Sequence, residues 1–98
     1  NGKVAGFVIG KISGNQGTIK LIAVSPDYRG KGVGKGLMEY ILKHFAEKKI
    51  KKVMAHSRIH NKAGCDFLKN FGFEIIKTVE NYYLNGDYAY LMVKKLDG

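Results

Sequence analysis

The 98-residue sequence has one cysteine, one proline and no tryptophan, and its 17 lysines and arginines face only 8 acidic residues. A single thiol, Cys65, excludes an internal disulfide framework and fits a reducing compartment, so a cytoplasmic setting is expected. That cysteine and the three histidines show no metal-ligand spacing, and no metal site is expected. No stretch approaches the roughly 18 apolar residues of a membrane span, so no membrane partner is expected. Linkers, internal repeats and low-complexity segments are missing too. The opening "NGKVAGFVIGK" has neither the charged head nor the cleavage pattern of a secretory signal. It also lacks a methionine, as a fragment would.

What is present bounds the rest. The length predicts one domain over residues 1–98 with a modest core. Hydrophobic content of 45% and charged content of 26% are ordinary for a soluble globule. The net charge of +9 is not ordinary, and implies a polyanionic partner such as a phosphorylated cofactor, a nucleic acid or an acidic substrate.

Patterning predicts the element order strand, strand, helix, strand, helix, strand, strand. Lys3 to Ile12 and Thr18 to Val24 are β-branched and flank a turn composition, Ser13 to Gly17. Pro26 ends the second strand. Val33, Leu37, Ile41 and Phe45 recur at helical spacing to about Lys48. Val53 to Arg58 reads as a short strand. Asn61 to Phe71 reads as a helix stopped by Gly72. Phe73 to Tyr83 and Tyr88 to Leu96 read as strands around the Asn-Gly turn of Leu84 to Asp87. Strand–helix–strand passages favour parallel neighbours and the terminal hairpins antiparallel ones. The expected fold is therefore α/β (α+β), a mixed and mostly antiparallel sheet flanked by helices.

One stretch concentrates the chemistry. In "PDYRGKGVGKGLMEYIL", Gly30, Gly32, Gly34 and Gly36 alternate with other residues directly before the first helix. A helix that starts there offers unpaired backbone amides and the positive end of its dipole. Glycines let a ligand approach that backbone, and Arg29, Lys31 and Lys35 add charge, which suits a phosphate or pyrophosphate. The dinucleotide pattern G-x-G-x-x-G fails, needing glycine at Lys35 or Leu37. The P-loop pattern fails because Gly36 follows Lys35 where serine or threonine is required. The pattern that fits is R-x-x-G-x-G, carried by Arg29, Gly32 and Gly34.

With "LIAVSPDYRGKGVGKGLM" around it, this loop resembles the acyl-coenzyme A pyrophosphate loop of the GNAT N-acetyltransferase superfamily. The resemblance covers nearly the whole chain, and "NFGFEIIKTVENYY" is similar to protein N-terminal acetyltransferases, including the ribosomal-protein type. It implies acetyl-CoA as cofactor, held by Arg29, Gly30, Lys31, Gly32, Val33, Gly34 and Lys35. By the same resemblance the strand ending at Val24 splays from its neighbour and bonds the pantetheine through Ile22 and Val24. Asn61 matches a residue that commonly contacts the cofactor, and it also suits a plain helix N-cap. The family's usual first strand, two helices and a further strand before the glycine turn are absent. Either the chain is a fragment, or a partner chain, a second copy included, completes the sheet edge.

Acetyl transfer needs a neutral amine, and an α-amine with a pKa of about 8 needs less help than a lysine at about 10.4. The resemblance makes His56 the base, since relatives hold a histidine or glutamate there; histidine titrates near neutrality. Tyr82 and Tyr83 match a pair that, in those relatives, lies on the loop between the last two strands and contacts the substrate's N-terminus, although their composition continues the strand that begins at Phe73. As consecutive strand residues they should face opposite ways. Leu68 stands where many relatives keep a tyrosine acid, which leaves water, Tyr82 or Tyr83 to protonate the thiolate. His44 and His60 match no motif, and Cys65 reads as a small packing residue. The expected activity is acetyl transfer from acetyl-CoA to a protein N-terminal amine, by direct attack in a ternary complex. Small amines and lysine side chains are the other acceptors.

Two alternatives stand beside it: a catalytically weak acyl-CoA-binding domain, and a basic nucleic-acid-binding module. The second lacks any nucleic-acid signature, and its lysines are scattered. Calorimetry separates them. Binding of acetyl-CoA at moderate salt, without binding of a short oligonucleotide, is the expected outcome; the reverse result rejects both CoA-based readings.

Overall fold

The computed structural model describes residues 5–96. Its elements are β1 (Gly6–Ser13), β2 (Gln16–Val24), a 3-10 turn (Pro26–Tyr28), α1 (Val33–Glu47), β3 (Lys52–Arg58), α2 (Lys62–Asn70), β4 (Glu74–Val79) and β5 (Ala89–Lys95). The expected beginning of the first strand, at Lys3, lies outside the described residues. The strands form one sheet in the order β1-β2-β3-β5-β4. β2 and β3, joined through α1, run parallel, and the other neighbours are antiparallel. This is the mixed, mostly antiparallel sheet that the patterning predicts. β3 and β4 are likewise joined through a helix, but β5 inserts between them and pairs with both.

The turns show how local chemistry fixes register. Ser13 pairs with Gln16, so only Gly14 and Asn15 turn, with Gly14 at φ 59. A glycine at the first turn position with positive φ matches the type II′ geometry that continues strand twist. Composition alone spreads this turn over Ser13 to Gly17, because a glycine inside a strand looks like one in a turn. Gly17 is in fact a strand residue with a packing role. A Cβ added there would lie 2.9 Å from ring carbons of Phe45. Absence of that Cβ lets α1 press its largest side chain against the hairpin.

Phe45 is 1% exposed and joins Met38 and Ile41 of α1 in a core with Ile19, Val53, Ala55, Cys65, Leu68, Phe73 and Met92. Cys65 packs its sulfur 3.9 Å from that of Met92. Gly34 of α1 sits beside Phe67 of α2, so both helices share one side of the sheet. The alternate residues of the first hairpin, Phe7, Ile9 and Leu21, remain largely exposed. Among the described residues, no helix is long and apolar enough to cross a membrane. Nor, among the described residues, is any group of three His, Cys, Asp or Glu placed to hold a metal ion.

The largest departure from the expected bounds is in β4. β4 ends at Val79, whose partner Ala89 begins β5, and Asn81 takes a positive φ of 51. Residues 80–83 have β-like composition but no strand to pair with. Tyr82 and Tyr83 therefore belong to the β4–β5 loop, and strand alternation does not govern them.

Both helices end alike. In α2 the amides of Gly72 and Phe73 bond to Lys69 and Leu68, with Gly72 at φ 92. In α1 the amides of Lys49 and Ile50 bond to Ala46 and Phe45, but the left-handed position holds Lys49, at φ 63. A side chain in that conformation costs roughly 1 kcal/mol, which is why glycine usually stands there. Lys49→Gly should stabilise the protein by about 0.5–1 kcal/mol, read as a higher urea midpoint. Lys49→Ala should give no such gain; equal midpoints for the two variants would contradict the assignment of strain.

Candidate functional site

The site begins where two strands part. β2 and β3 pair over only four positions, from Gln16–Lys52 to Ile19–Ala55. Beyond Ile19 the opposite edge of β2 changes as well: Ile9 of β1 faces Leu21 and the next residue, Gly10, faces Ile19. Lys20 is thus an extra residue with no partner, a bulge that bends and twists its strand. After it, Lys20 to Val24 run without a β3 neighbour, and His56 is the first β3 residue past the last pair. The opening is a cleft lined by Lys20 and Ile22 on one side and His56, Ser57 and Arg58 on the other. Asn61, Gly64, Phe67 and Leu68 of α2 close one end, and Tyr83 stands at another.

A trough continues from this cleft to the start of α1. It runs past Ile22, Val24, Asn61 and Phe67 to Arg29, Gly30 and Gly34, and one segment encloses about 750 Å³. Tyr28, Gly32, Val33 and Lys35 line its far end. Gly30 and Gly32 take positive φ values of 78 and 81, a conformation that lets the chain reverse and enter the helix. Gly32 is the N-cap and has no side chain to satisfy the helix mouth. The first intrahelical bond is donated by Gly36 to Gly32. The amides ahead of it, those of Val33, Gly34 and Lys35, have no intrahelical acceptor. The cations are arranged around this mouth: Arg29 donates from Nε to the carbonyl of Val24 at 3.3 Å, and Lys31 lies over the ring of Tyr28.

Asn61 caps α2, its side chain accepting from the amide of Gly64 at 3.0 Å, and the same residue lines both cleft and trough. Both expectations for Asn61, N-cap and ligand-facing residue, are compatible with that position. Leu68 is buried in the core yet borders the cleft. It is apolar, so it offers no proton there.

On the other wall, aromatic rings form a column. His56 stacks on Tyr82 with centroids 4.1 Å apart and planes within 10°. Tyr82 meets Tyr83 edge-on at 5.0 Å. The guanidinium of Arg58 covers Tyr83 at 3.8 Å, and Asp87 accepts from it at 2.7 Å. Asp87 also accepts from Asn85, while the amide of Tyr83 bonds to the carbonyl of Asp87. The β4–β5 loop is thereby fastened to the end of β3. Burial against this column lowers the His56 pKa below the ordinary 6.5, and the nearby charge of Lys20 lowers it further. Burial likewise raises the Tyr83 phenol, which keeps its proton.

His56, Ile22, Asn61 and Tyr83 thus share one continuous surface with Arg29, Gly32 and Gly34. Sequence reasoning overlooked Lys20, Arg58 and Asp87. Lys20 did leave a trace: adjacent apolar residues Leu21 and Ile22 break the alternation begun at Ile19, which is how a bulge reads in sequence. Arg58 and Asp87 lie 29 positions apart and carry no local signal.

An α/β sheet split between parallel strands, with a glycine-rich helix mouth beside the split, defines a class. Residues 1–73 match the acetyltransferase (GNAT) family. The chain belongs to that family. It is 30% identical over 87 residues to a [ribosomal protein bS18]-alanine N-acetyltransferase of Escherichia coli strain K12, covering 89% of this chain and 59% of that protein. The crystal structure of Ard1 from Thermoplasma volcanium superposes with a TM-score of 0.93 at 32% identity, covering 99% of this chain and 66% of that one. A NatC complex bound to Gag peptide and CoA matches with a TM-score of 0.82 at 26% identity, covering 92% of this chain and 58% of that one. The chain therefore spans roughly three fifths to two thirds of the length of these relatives.

The column makes a measurable claim about His56. Tyr82→Ala uncovers the imidazole and Lys20→Gln removes the repelling cation, so each should move its titration midpoint upward, toward the ordinary value of 6.5. Imidazole proton shifts followed against pH measure it. Midpoints that stay put or fall in both variants would contradict the stated causes.

Proposed function

We propose that the chain carries the catalytic cleft of an acetyl-CoA-dependent N-acetyltransferase acting on the α-amine of a peptide or protein N-terminus. The observation that carries this reading is the continuity of the surface: a helix mouth with free amides leads, through the gap between β2 and β3, to a half-buried neutral histidine. The relatives support the same chemistry, one being an alanine N-acetyltransferase and another a complex holding both peptide and CoA.

The residues fit the cofactor. A Cβ built on Gly34 meets Val24 and Phe67 only at ordinary distances of 3.6–3.7 Å, so the fold itself does not demand glycine there. What glycine leaves open is the floor of the trough at the helix mouth. In this reading the amides of Val33, Gly34 and Lys35, with Gly30, Gly32, Arg29 and Lys31, hold the pyrophosphate. The edge of β2 that has left β3, at Ile22 and Val24, bonds the pantetheine amides, and Asn61 contacts the arm where it passes α2. When bound, acetyl-CoA supplies an activated acetyl carbonyl.

The remaining steps belong to the chain and its acceptor. Tyr82 and Tyr83 hold the N-terminal residue against the β3 side of the cleft. His56, kept neutral by its surroundings, accepts a proton from the amine as the nitrogen bonds to the acetyl carbon. The thiol that acetyl-CoA would release as its leaving group would need a proton at sulfur. Leu68 cannot supply that proton; the Tyr83 hydroxyl, held protonated in the cleft lining, or a water can. The depressed pKa of His56 makes it a modest base, which suffices for an α-amine of pKa about 8.

His56→Ala should lower kcat by roughly 10²–10⁴-fold with little change in CoA affinity. The sign of the pH effect follows from the lowered pKa. His56 must be neutral to act, so kcat/KM rises as pH climbs through a midpoint below 6.5. His56→Gln should lose that limb and keep the one set by the amine. Thiol release from acetyl-CoA with short peptides measures both. An unchanged rate in His56→Ala would remove this residue as base, and absence of CoA binding would remove the proposal entirely.

A further inference from the structure

We propose that Lys20 selects the acceptor, favouring peptides whose first residue is aspartate or glutamate over those whose first residue is neutral or cationic. This rests on the acyltransferase reading above and adds the class of substrate. Lys20 is the extra residue of the β2 bulge, without a partner on β1 and just past the last pair with β3. The bulge brings it to the cleft that His56 and Tyr83 also line. Its ammonium joins neither of the side-chain ion pairs found among the described residues, Arg58–Asp87 and Lys62–Asp66.

The charges around the cleft leave Lys20 uncompensated. The other cation of the lining, Arg58, already has its carboxylate in Asp87 at 2.7 Å. No aspartate or glutamate is among the cleft-lining residues. An amine reaching His56 therefore enters the field of one unneutralised ammonium. That field disfavours a second cation on the incoming residue and favours a carboxylate. Lysine is a compact charge on a flexible stem, so it reads the sign of a side chain more than its shape. Its exposure limits the effect, which should be about fivefold between an acidic side chain and its neutral isostere. Against a cationic side chain the two contributions add, to about tenfold or more.

The test compares kcat/KM, by thiol release, for peptides identical except for a first residue of Asp, Asn or Arg. Asp and Asn differ in charge at nearly equal shape, and Arg adds no second acylatable amine. The same series is run on Lys20→Gln and Lys20→Glu, and CoA binding by calorimetry reports that each variant is folded. The expected wild-type order is Asp, then Asn, then Arg, narrowing as salt is raised from about 0.05 M to about 0.5 M. Lys20→Gln should flatten the order and Lys20→Glu should invert it. Equal wild-type rates for all three, or an order that persists in Lys20→Glu, would overturn the selectivity while leaving the transferase reading intact. No turnover of any of the three by wild type, despite CoA binding, would overturn both.

Discussion

The hydrogen-bond ladder between β2 and β3 stops after four pairs, and the site depends on that interruption. A parallel pair that continued would satisfy the inner edge of both strands and seal the sheet. Here the outer half of β2 keeps its bonds to β1 and loses them toward β3. Backbone groups left this way are costly unless water or a ligand pairs with them. A single extra residue, Lys20, accompanies the change: it shifts the register with β1 and turns the strand away. The resulting gap connects the helix-covered side of the sheet, where the glycine turn lies, with the wall that carries His56.

Packing holds that gap open. α1 is anchored by Phe45 over the glycines of the first hairpin, and α2 by Leu68 and Cys65 against β3 and β5. The two helices meet where Gly34 lies beside Phe67, so the mouth of α1 is set by the core rather than by a ligand. On the other wall, the Arg58–Asp87 pair is half exposed and contributes little to stability by itself. Its effect is geometric. It fastens the β4–β5 loop beside the end of β3, where Tyr82 stacks on His56.

The net charge of +9 acquires a partial explanation in the same terms. Arg29 and Lys35 line the helix mouth, Lys31 lies over Tyr28 beside it, and Lys20 and Arg58 line the cleft. Other lysines, such as Lys43 and Lys48 on the outer side of α1, are exposed and far from either feature in sequence. Composition registered their sum, whereas only a few of them face the trough.

By itself the sequence determined whatever depends on neighbours along the chain. Alternation and helical spacing placed the elements, Gly72 stopped α2, and the R-x-x-G-x-G turn marked the helix mouth. These are short-range effects of dihedral preference and amphipathic period, and they are written locally. Tertiary structure alone decided that β5 separates β3 from β4, that the strand read as reaching Tyr83 stops at Val79, and that Lys20 and His56 border one opening. It also decided that Arg58 meets Asp87 from 29 positions away. Each of these depends on which backbone edge finds a partner and on contacts between distant segments, and such pairings exist only once the whole sheet has assembled.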